Sequence, residues 1–385
     1  MKIQIDGAGM INKGAELMLF SVLEQIEKKY PNAQIIINDP NCDVNVIHKY
    51  VNLDIKIPRT RFLLKILFFP IIKKILDKLK LQFIAIYVLH YPRKNIDLLL
   101  DAGGFQFGDQ FYFNSSGISV LNNYYKKLKK YKTKIIFLPQ AFGPFENKIS
   151  KELIPVFNKN IDIVYAREQV SYNYLVDAGL SKTNLKLYPD FTSLTKGIMP
   201  SKYDMVKGYV CFIPNMRMMD KGALSIDNYV DFFVTLIKAC IKNNKVPFLL
   251  NHEGESDYKI CKIIAGKLDA KIIIANNLNG FEIKGIIANS YAVVSSRFHG
   301  VASSLSSAVP CLATSWNHKY KLLFEDYEQT NNILDVTNTN DAVEKLSNIL
   351  DPKINGEIKL ILEKNKKKLT LSTEKMWQQV FKENN

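Results

Sequence analysis

The chain is poor in every feature that would mark it as membrane-spanning, disulfide-stapled or metal-centred. Five cysteines, Cys42, Cys211, Cys240, Cys261 and Cys311, are scattered and odd in number, so they read as reduced core residues rather than a disulfide framework or zinc pairs. No D-x-D occurs, which leaves a nucleotide-sugar metal site unsupported, and the H-E-x-x-H zinc pattern is missing as well; no metal is expected. There is no Gly-Lys-Ser/Thr of a phosphate-binding P-loop. Helix-turn-helix and RNP-like signatures are also missing, so nucleic acid is not an expected partner. The start, Met1-Lys2-Ile3-Gln4-Ile5-Asp6, runs straight into a strand-like segment without the apolar core and cleavage site of a signal peptide, and a cytoplasmic location is expected.

What is present is ordinary for a large globular chain. At 385 residues it exceeds the size at which one core keeps growing, so two domains are expected. Hydrophobic residues make up 47% and charged residues 23%, which leaves no long stretch too polar to fold. Lys and Arg total 52 against 37 Asp and Glu, and the net charge of +15 favours anionic partners. The segment from Arg59 to Leu89 alternates short apolar runs with lysines. Those runs fall far below the roughly 18–20 residues of a spanning helix. The segment suits either a surface helix meeting anionic lipid at the inner face of the cytoplasmic membrane or a core-packing helix pair with solvated lysines.

Short apolar, β-rich runs alternate with helix-like segments along most of the length, the pattern of parallel sheets covered on both faces. Expected strands are 2–6, 34–38, 96–101, 134–139, 161–166 and 185–188, with helices at 15–29, 119–130 and 169–178. After an aperiodic stretch over 192–207, a second series follows at 208–213, 246–251, 271–275, 292–296 and 310–314, with a helix over 229–243. This predicts two Rossmann-like, doubly wound α/β domains, 1–195 and 205–350, facing across a cleft, and a C-terminal helix over 356–385 packing back across them. In open α/β sheets ligands bind beyond the carboxyl ends of strands, so the informative residues are those that follow strands directly.

In the first domain, Gly7-Ala8-Gly9-Met10-Ile11-Asn12-Lys13-Gly14-Ala15-Glu16 opens a helix and reads either as an anion- or sugar-holding loop or as a tight turn. Position 12 is Asn where a dinucleotide fingerprint needs its third glycine. Asp101-Ala102-Gly103-Gly104, followed by Asp109, ends a buried strand, and its carboxylate could orient a sugar or cap a helix. Gln140 in Pro139-Gln140-Ala141-Phe142-Gly143-Pro144 could bond a sugar through its amide. Arg167 could clamp an anion or pair with a carboxylate, and Asp190 closes the next strand.

The second domain carries sharper signals. One strand ends in Pro214-Asn215-Met216-Arg217 and a later one in Ser296-Arg297-Phe298-His299-Gly300 before a helix. Arg217 and Arg297 are expected to converge on one mouth, where two guanidinium forks bind a carboxylate and a phosphate, aided by the helix N-terminus. His299 beside them can move a proton or simply orient Arg297. A third strand is followed by His252-Glu253-Gly254-Glu255-Ser256-Asp257, which supplies bases and a loop.

Taken in order, Gly9 to Met18, Asp97 to Asp109, Gln140 to Pro144, Arg167 to Gly179, Asp190, Arg297-Phe298-His299 and Trp316-Asn317-His318-Lys319 resemble the polysaccharide pyruvyl transferase family over nearly the whole chain. A Trp stands at 316 where an aromatic, often Tyr, is usual. The resemblance implies a GT-B-like fold and transfer of pyruvyl from phosphoenolpyruvate, as co-substrate with no resident cofactor, onto a glycan or lipid-linked sugar as a ketal. It implies a donor site of Arg217, Arg297 and His299, with Lys319 as a donor or structural contact; Asn215 and His252 are further expected donor contacts. Acceptor contacts are expected at Asn12, Glu16, Gly103, Gly104, Gln140 and Arg167, and catalytic groups at His299, Asp101 and Asp190, with Glu253 as a further base. The alternative is a GT-B glycosyltransferase using a nucleotide sugar. The oligomeric state is not legible.

Overall fold

The computed structural model describes residues 1–39, 41–58, 92–111, 114–222, 225–314 and 319–382. The lysine-rich segment at 59–89 lies outside them. The chain divides into two units. One comprises 1–11, 15–192 and 372–385; the other comprises 12–14 and 193–371.

The first unit is built on a sheet of β1 (Lys2–Asp6), β2 (Gln34–Ile37), β3 (Asp54–Lys56), β4 (Leu98–Asp101), β5 (Phe105–Phe107), β6 (Lys134–Phe142), β7 (Ile163–Ala166) and β8 (Leu185–Leu187). Their order is β3-β2-β1-β4-β6-β7-β8, with β5 added to the end of β6, and every pairing among the described residues is parallel. The order in which strands are added changes side between β1 and β4, which makes their carboxyl ends the place where polar loops diverge. Burial explains the sequence pattern. All of Leu98–Asp101 and of Ile163–Ala166 is buried, as it must be when helices cover both faces.

Strand β6 departs from expectation. Pro139 suggested a stop, but β6 runs on to Phe142. Proline lacks the N–H for a regular ladder and survives here because the pairing with β7 shifts register between Phe137 and Gln140. β5 then pairs along the extension, Phe105 with Ala141 and Phe107 with Phe142.

The second unit carries β9 (Val210–Ile213), β10 (Pro247–Leu250), β11 (Ile274–Ala275), β12 (Ala292–Ser295), β13 (Cys311–Thr314) and β14 (Ile333–Leu334). They form a parallel sheet in the order β11-β10-β9-β12-β13-β14, with its reversal between β9 and β12. Alternate residues serve two cores. Cys211, Ile213, Phe248, Leu250 and Val293 pack on one face, whereas Val210, Phe212, Leu249 and Val294 pack on the other. All five cysteines are free and buried. Two helix starts are locally specified. Ser225 accepts from the Asn228 N–H ahead of helix Ile226–Lys242, and Asn279 with Glu282 makes a capping box ahead of Gly280–Ala288.

The C-terminal helix spans Pro352–Lys382. Its part from Ser372 onward groups with the first unit, where Trp377 stacks on Phe381 and the Phe381 ring meets Tyr30 edge-on. No described helix is long and apolar enough to cross a membrane.

Candidate active site

In the second unit the loops after β10, β9 and β12 leave three adjacent strands at the same edge. These loops hold His252-Glu253, Asn215-Met216-Arg217 and Ser296-Arg297-Phe298-His299. Asn215 is buried and fully committed: its amide nitrogen donates to the Ser296 carbonyl (3.0 Å), its side-chain oxygen accepts from the Arg217 N–H (2.9 Å), and its own N–H donates to the Tyr229 hydroxyl (2.9 Å). Tyr229 donates onward to Ser296 Oγ at 2.6 Å, Thr314 Oγ1 meets the same atom at 2.6 Å, and Tyr320 donates to the Ser296 carbonyl at 3.0 Å. This hydroxyl ladder ties the ends of β9, β12 and β13 together. Asn215, expected as a donor contact, therefore ties the loops after β9 and β12 together.

Arg297 also differs from expectation. Its Nε and Nη2 donate to Asp257 Oδ2 and Oδ1 at 2.8 and 2.7 Å, and its Nη1 donates to Glu253 Oε2 at 2.5 Å. The guanidinium is thus held by two carboxylates of its own unit instead of standing open beside Arg217. Asp257, with no exposed side-chain surface, sits in the first turn of helix Gly254–Gly266 and also accepts the Met216 N–H at 3.2 Å. Burial works against the Arg297 charge, but the hydrogen bonds and charges of Asp257 and Glu253 outweigh it, and its pKa rises above the usual arginine value. Arg217 is exposed, and its charge acts on the same two carboxylates. Burial pushes the Glu253 pKa upward, opposed by Arg297.

Two imidazoles flank this cluster. His252 is buried, and its pKa lies well below the usual range because of burial first and then the charges of Arg297, His299 and Lys13. It is neutral at physiological pH and supplies no positive charge to an anion, and its Nδ1 is buried without a hydrogen-bond partner. His299 lies in the first turn of helix Phe298–Ser306. A Cβ on Gly14 would fall 2.1 Å from His299 Nδ1, so the ring packs directly on the glycine of the 12–14 stretch, which groups with this unit. From the same stretch the Asn12 amide lies 3.2 Å from both oxygens of Glu253, so Asn12, expected to contact an acceptor, holds Glu253. Lys319 opens helix Lys319–Asp326, and its side chain, with residues 315–318, lies outside the described set.

In the first unit the ends of β1 and β4 make a second polar cluster. Asp101 Oδ1 accepts from the Gly103 N–H (3.0 Å), Gln106 Nε2 (2.6 Å) and Gln140 Nε2 (3.1 Å). Burial nevertheless pushes its pKa up to about 6, with the nearby Asp6 charge adding to the shift. Asp6 itself accepts from Gln4 (2.8 Å) and from the Tyr124 hydroxyl (2.7 Å). Gln140, inside β6 and not in a turn, is fully buried with its Oε1 unpartnered. The glycine-rich turn has a packing cause. Gly7 has φ +77°, and a Cβ there would lie 2.6 Å from Gly103 N. Asp39 already accepts the Met10 N–H of the same turn at 2.8 Å. Gly104 lies beside the Met18 sulfur, and Glu16 is buried in the first helical turn. Asp109 accepts the Glu146 N–H at 2.9 Å and steadies the loop after β6.

Arg167 and Asp190 pair with each other at 3.2 Å, their side chains 7% and 10% exposed, and the other Asp190 oxygen takes the Thr192 N–H and hydroxyl at 2.9 and 2.6 Å. The sequence left Arg167 either to clamp an anion or to pair with a carboxylate, and here it pairs with Asp190, whose two oxygens are both engaged. Among the described residues no group of three or more His, Cys, Asp or Glu is arranged to hold a metal ion. Asp257 and Gln106 were not assigned from sequence. The i, i+4 spacing of Glu253 and Asp257 at a helix start was the available signal for the first.

Solved structures similar to the chain share its fold at low identity. UDP-GlcNAc 2-epimerase from Methanocaldococcus jannaschii matches with a TM-score of 0.58 and 13% identity over 92% of this chain and 94% of that one. The Anabaena protein HepE, solved in complex with UDP and glucose, matches with a TM-score of 0.55 and 12% identity over 98% and 97%. The fold is therefore the GT-B-like, two-Rossmann α/β class. No curated protein matches the chain. The family model for polysaccharide pyruvyl transferase covers residues 12–318, from the loop that meets His299 through the strand ends of both units, and the chain belongs to that family.

Proposed function

We propose that the protein transfers pyruvyl from phosphoenolpyruvate to two hydroxyls of a sugar in a glycan precursor, forming a ketal and releasing phosphate. The observation that carries this reading is Arg297 set at the switch point of the second sheet, oriented by buried Asp257, with Arg217 acting on the same carboxylates and His299 two residues away. Such a group suits a small ligand with a carboxylate and a phosphate. His299 gives a proton to C3 of the donor, which leaves C2 electron-poor. One sugar hydroxyl attacks C2, the phosphate leaves with its bridging oxygen, and the second hydroxyl closes the ring at C2. Of the two hydroxyl protons, one restores the acid form of His299 and the other leaves with the phosphate, with Glu253 in the same cluster as the base that takes each in turn. Sugar hydroxyls are the ligands proposed for the polar strand ends of the first unit, where Gln140 Oε1 is buried without a partner.

The test is phosphate release from phosphoenolpyruvate in the presence of candidate sugar acceptors, run beside nucleotide release from a panel of nucleotide sugars. His299→Ala is expected to lower turnover about 100- to 10,000-fold, the range for loss of a general acid. Nucleotide release without use of phosphoenolpyruvate would replace this reading with that of a glycosyltransferase.

A further inference from the structure

The two carboxylates on Arg297 are not equivalent. Asp257 is fully buried on a helix and holds Nε and Nη2 together, which locks the plane of the guanidinium. Glu253 has 21% of its side chain exposed and takes only the Nη1 edge. It stands at the N-cap position of helix Gly254–Gly266 without a side-chain bond to that helix. The next residue, Gly254, has φ +64° with open space around it, so the loop is not packed against a neighbour at this point. Glu253 is thus held by the Arg297 edge and by the Asn12 amide, both exchangeable polar contacts.

We infer that Glu253 is a built-in competitor at an oxyanion site: its carboxylate holds the Nη1 edge of Arg297 and yields that edge to the carboxylate or phosphate group of a ligand. This rests on the reading of Arg297 as an anion-holding group. It has a physical consequence for affinity. The ligand must displace an anion of like charge, so binding is weaker than the guanidinium alone would give, and it tightens when Glu253 is neutral. The charged groups that face Glu253 are Arg297, Asp257 and Arg217, with His252 beside it in sequence and His299 and Lys13 acting on His252. Displacement also turns Glu253 from an ion-paired carboxylate into a free base close to the bound ligand.

Sulfate is the first probe, because it remains a dianion across the working pH range. Its affinity is measured by calorimetry between pH 5 and 8 for the full chain and for Glu253→Gln and Glu253→Ala, with melting curves confirming that each variant is folded. Both variants are expected to bind sulfate about 10-fold more tightly than the parent at pH 8, as for release of one charge-assisted hydrogen bond. The ratio should shrink toward one as pH falls and Glu253 takes up its proton. The histidines are common to all three proteins and cancel in that ratio. Folded variants that bind sulfate no better than the parent at pH 8 would overturn the inference and leave Glu253 as a structural tie. Should both variants fail to fold, Glu253→Asp, whose shorter side chain draws the carboxylate back from Nη1, takes their place in the same ratio, and a folded variant that binds sulfate no better than the parent at pH 8 sinks the idea. Phosphoenolpyruvate is the second probe. Expected sulfate behaviour with no binding or turnover of phosphoenolpyruvate supports the competitor and rejects the proposed donor.

Discussion

Replacing Asp257 with alanine is the sharpest test of how the site is held. The side chain has no exposed surface, and its removal deletes two bonds to Arg297, at 2.8 and 2.7 Å, and one from the Met216 N–H at 3.2 Å. Water cannot readily replace those contacts, because the Arg297 side chain is only 11% exposed. Breaking a buried ion pair from one side typically costs about 3–5 kcal/mol, since the remaining charge keeps its desolvation penalty. Glu253 still meets Nη1, which places the expected loss toward the lower end, about 3 kcal/mol. For a unit of this size each kcal/mol lowers the melting temperature by about 2–4 °C, so the variant should melt roughly 6–12 °C below the parent. Thermal melting followed by circular dichroism at pH 7.5 reads this directly, and urea titration checks the free energy. Asp257→Asn keeps the side-chain volume and one acceptor, so its loss should be smaller. A shift below 2 °C for the alanine variant would refute the view that Asp257 is the anchor of Arg297.

The remaining predictions concern other parts of the chain. Asp101 has a folded pKa of about 6, above its unfolded value, so the stability it lends to the protonated form is present in acid and is lost as pH rises through 6. Between pH 4.5 and 7 the parent should lose about 2 kcal/mol relative to Asp101→Asn, measured by urea unfolding at the two pH values; equal slopes for the two proteins would reject the assignment. Gly285→Ala places a Cβ 2.2 Å from the backbone of Ile198, which cannot move aside as a side chain would, and should cost at least about 1–3 kcal/mol in the second unit. An alanine variant that melts with the parent would show that the contact between 197–199 and helix Gly280–Ala288 is looser than described.

Much of the fold was legible because parallel strands covered on both faces must be continuously apolar. Val210-Cys211-Phe212-Ile213 and Ala292-Val293-Val294-Ser295 are such runs, and both form strands buried along their length. The aperiodic stretch over 192–207 likewise contains the point, after Thr192, where the units divide. The short strands β3, β5 and β14 were missed, since two or three residues carry too little pattern to be told from a loop. The loops that bear the polar residues were also legible, because they follow the strands directly.

What those polar residues do was decided elsewhere. An arginine after a strand reads the same whether it faces a ligand or a carboxylate, and Arg167 and Arg297 both turned out to face carboxylates that lie 23 and 40 residues away along the chain. Asn215 and Gln140 read from sequence only as polar side chains after or inside strands; the fold adds that they bond to the Ser296 carbonyl and to Asp101. Periodic apolar runs fix strands and cores because burial of each residue depends on its own side chain and its immediate neighbours in sequence. The role of a charged group depends on which opposite charge the folded chain brings within a few ångströms of it, and that is a property of the tertiary structure alone.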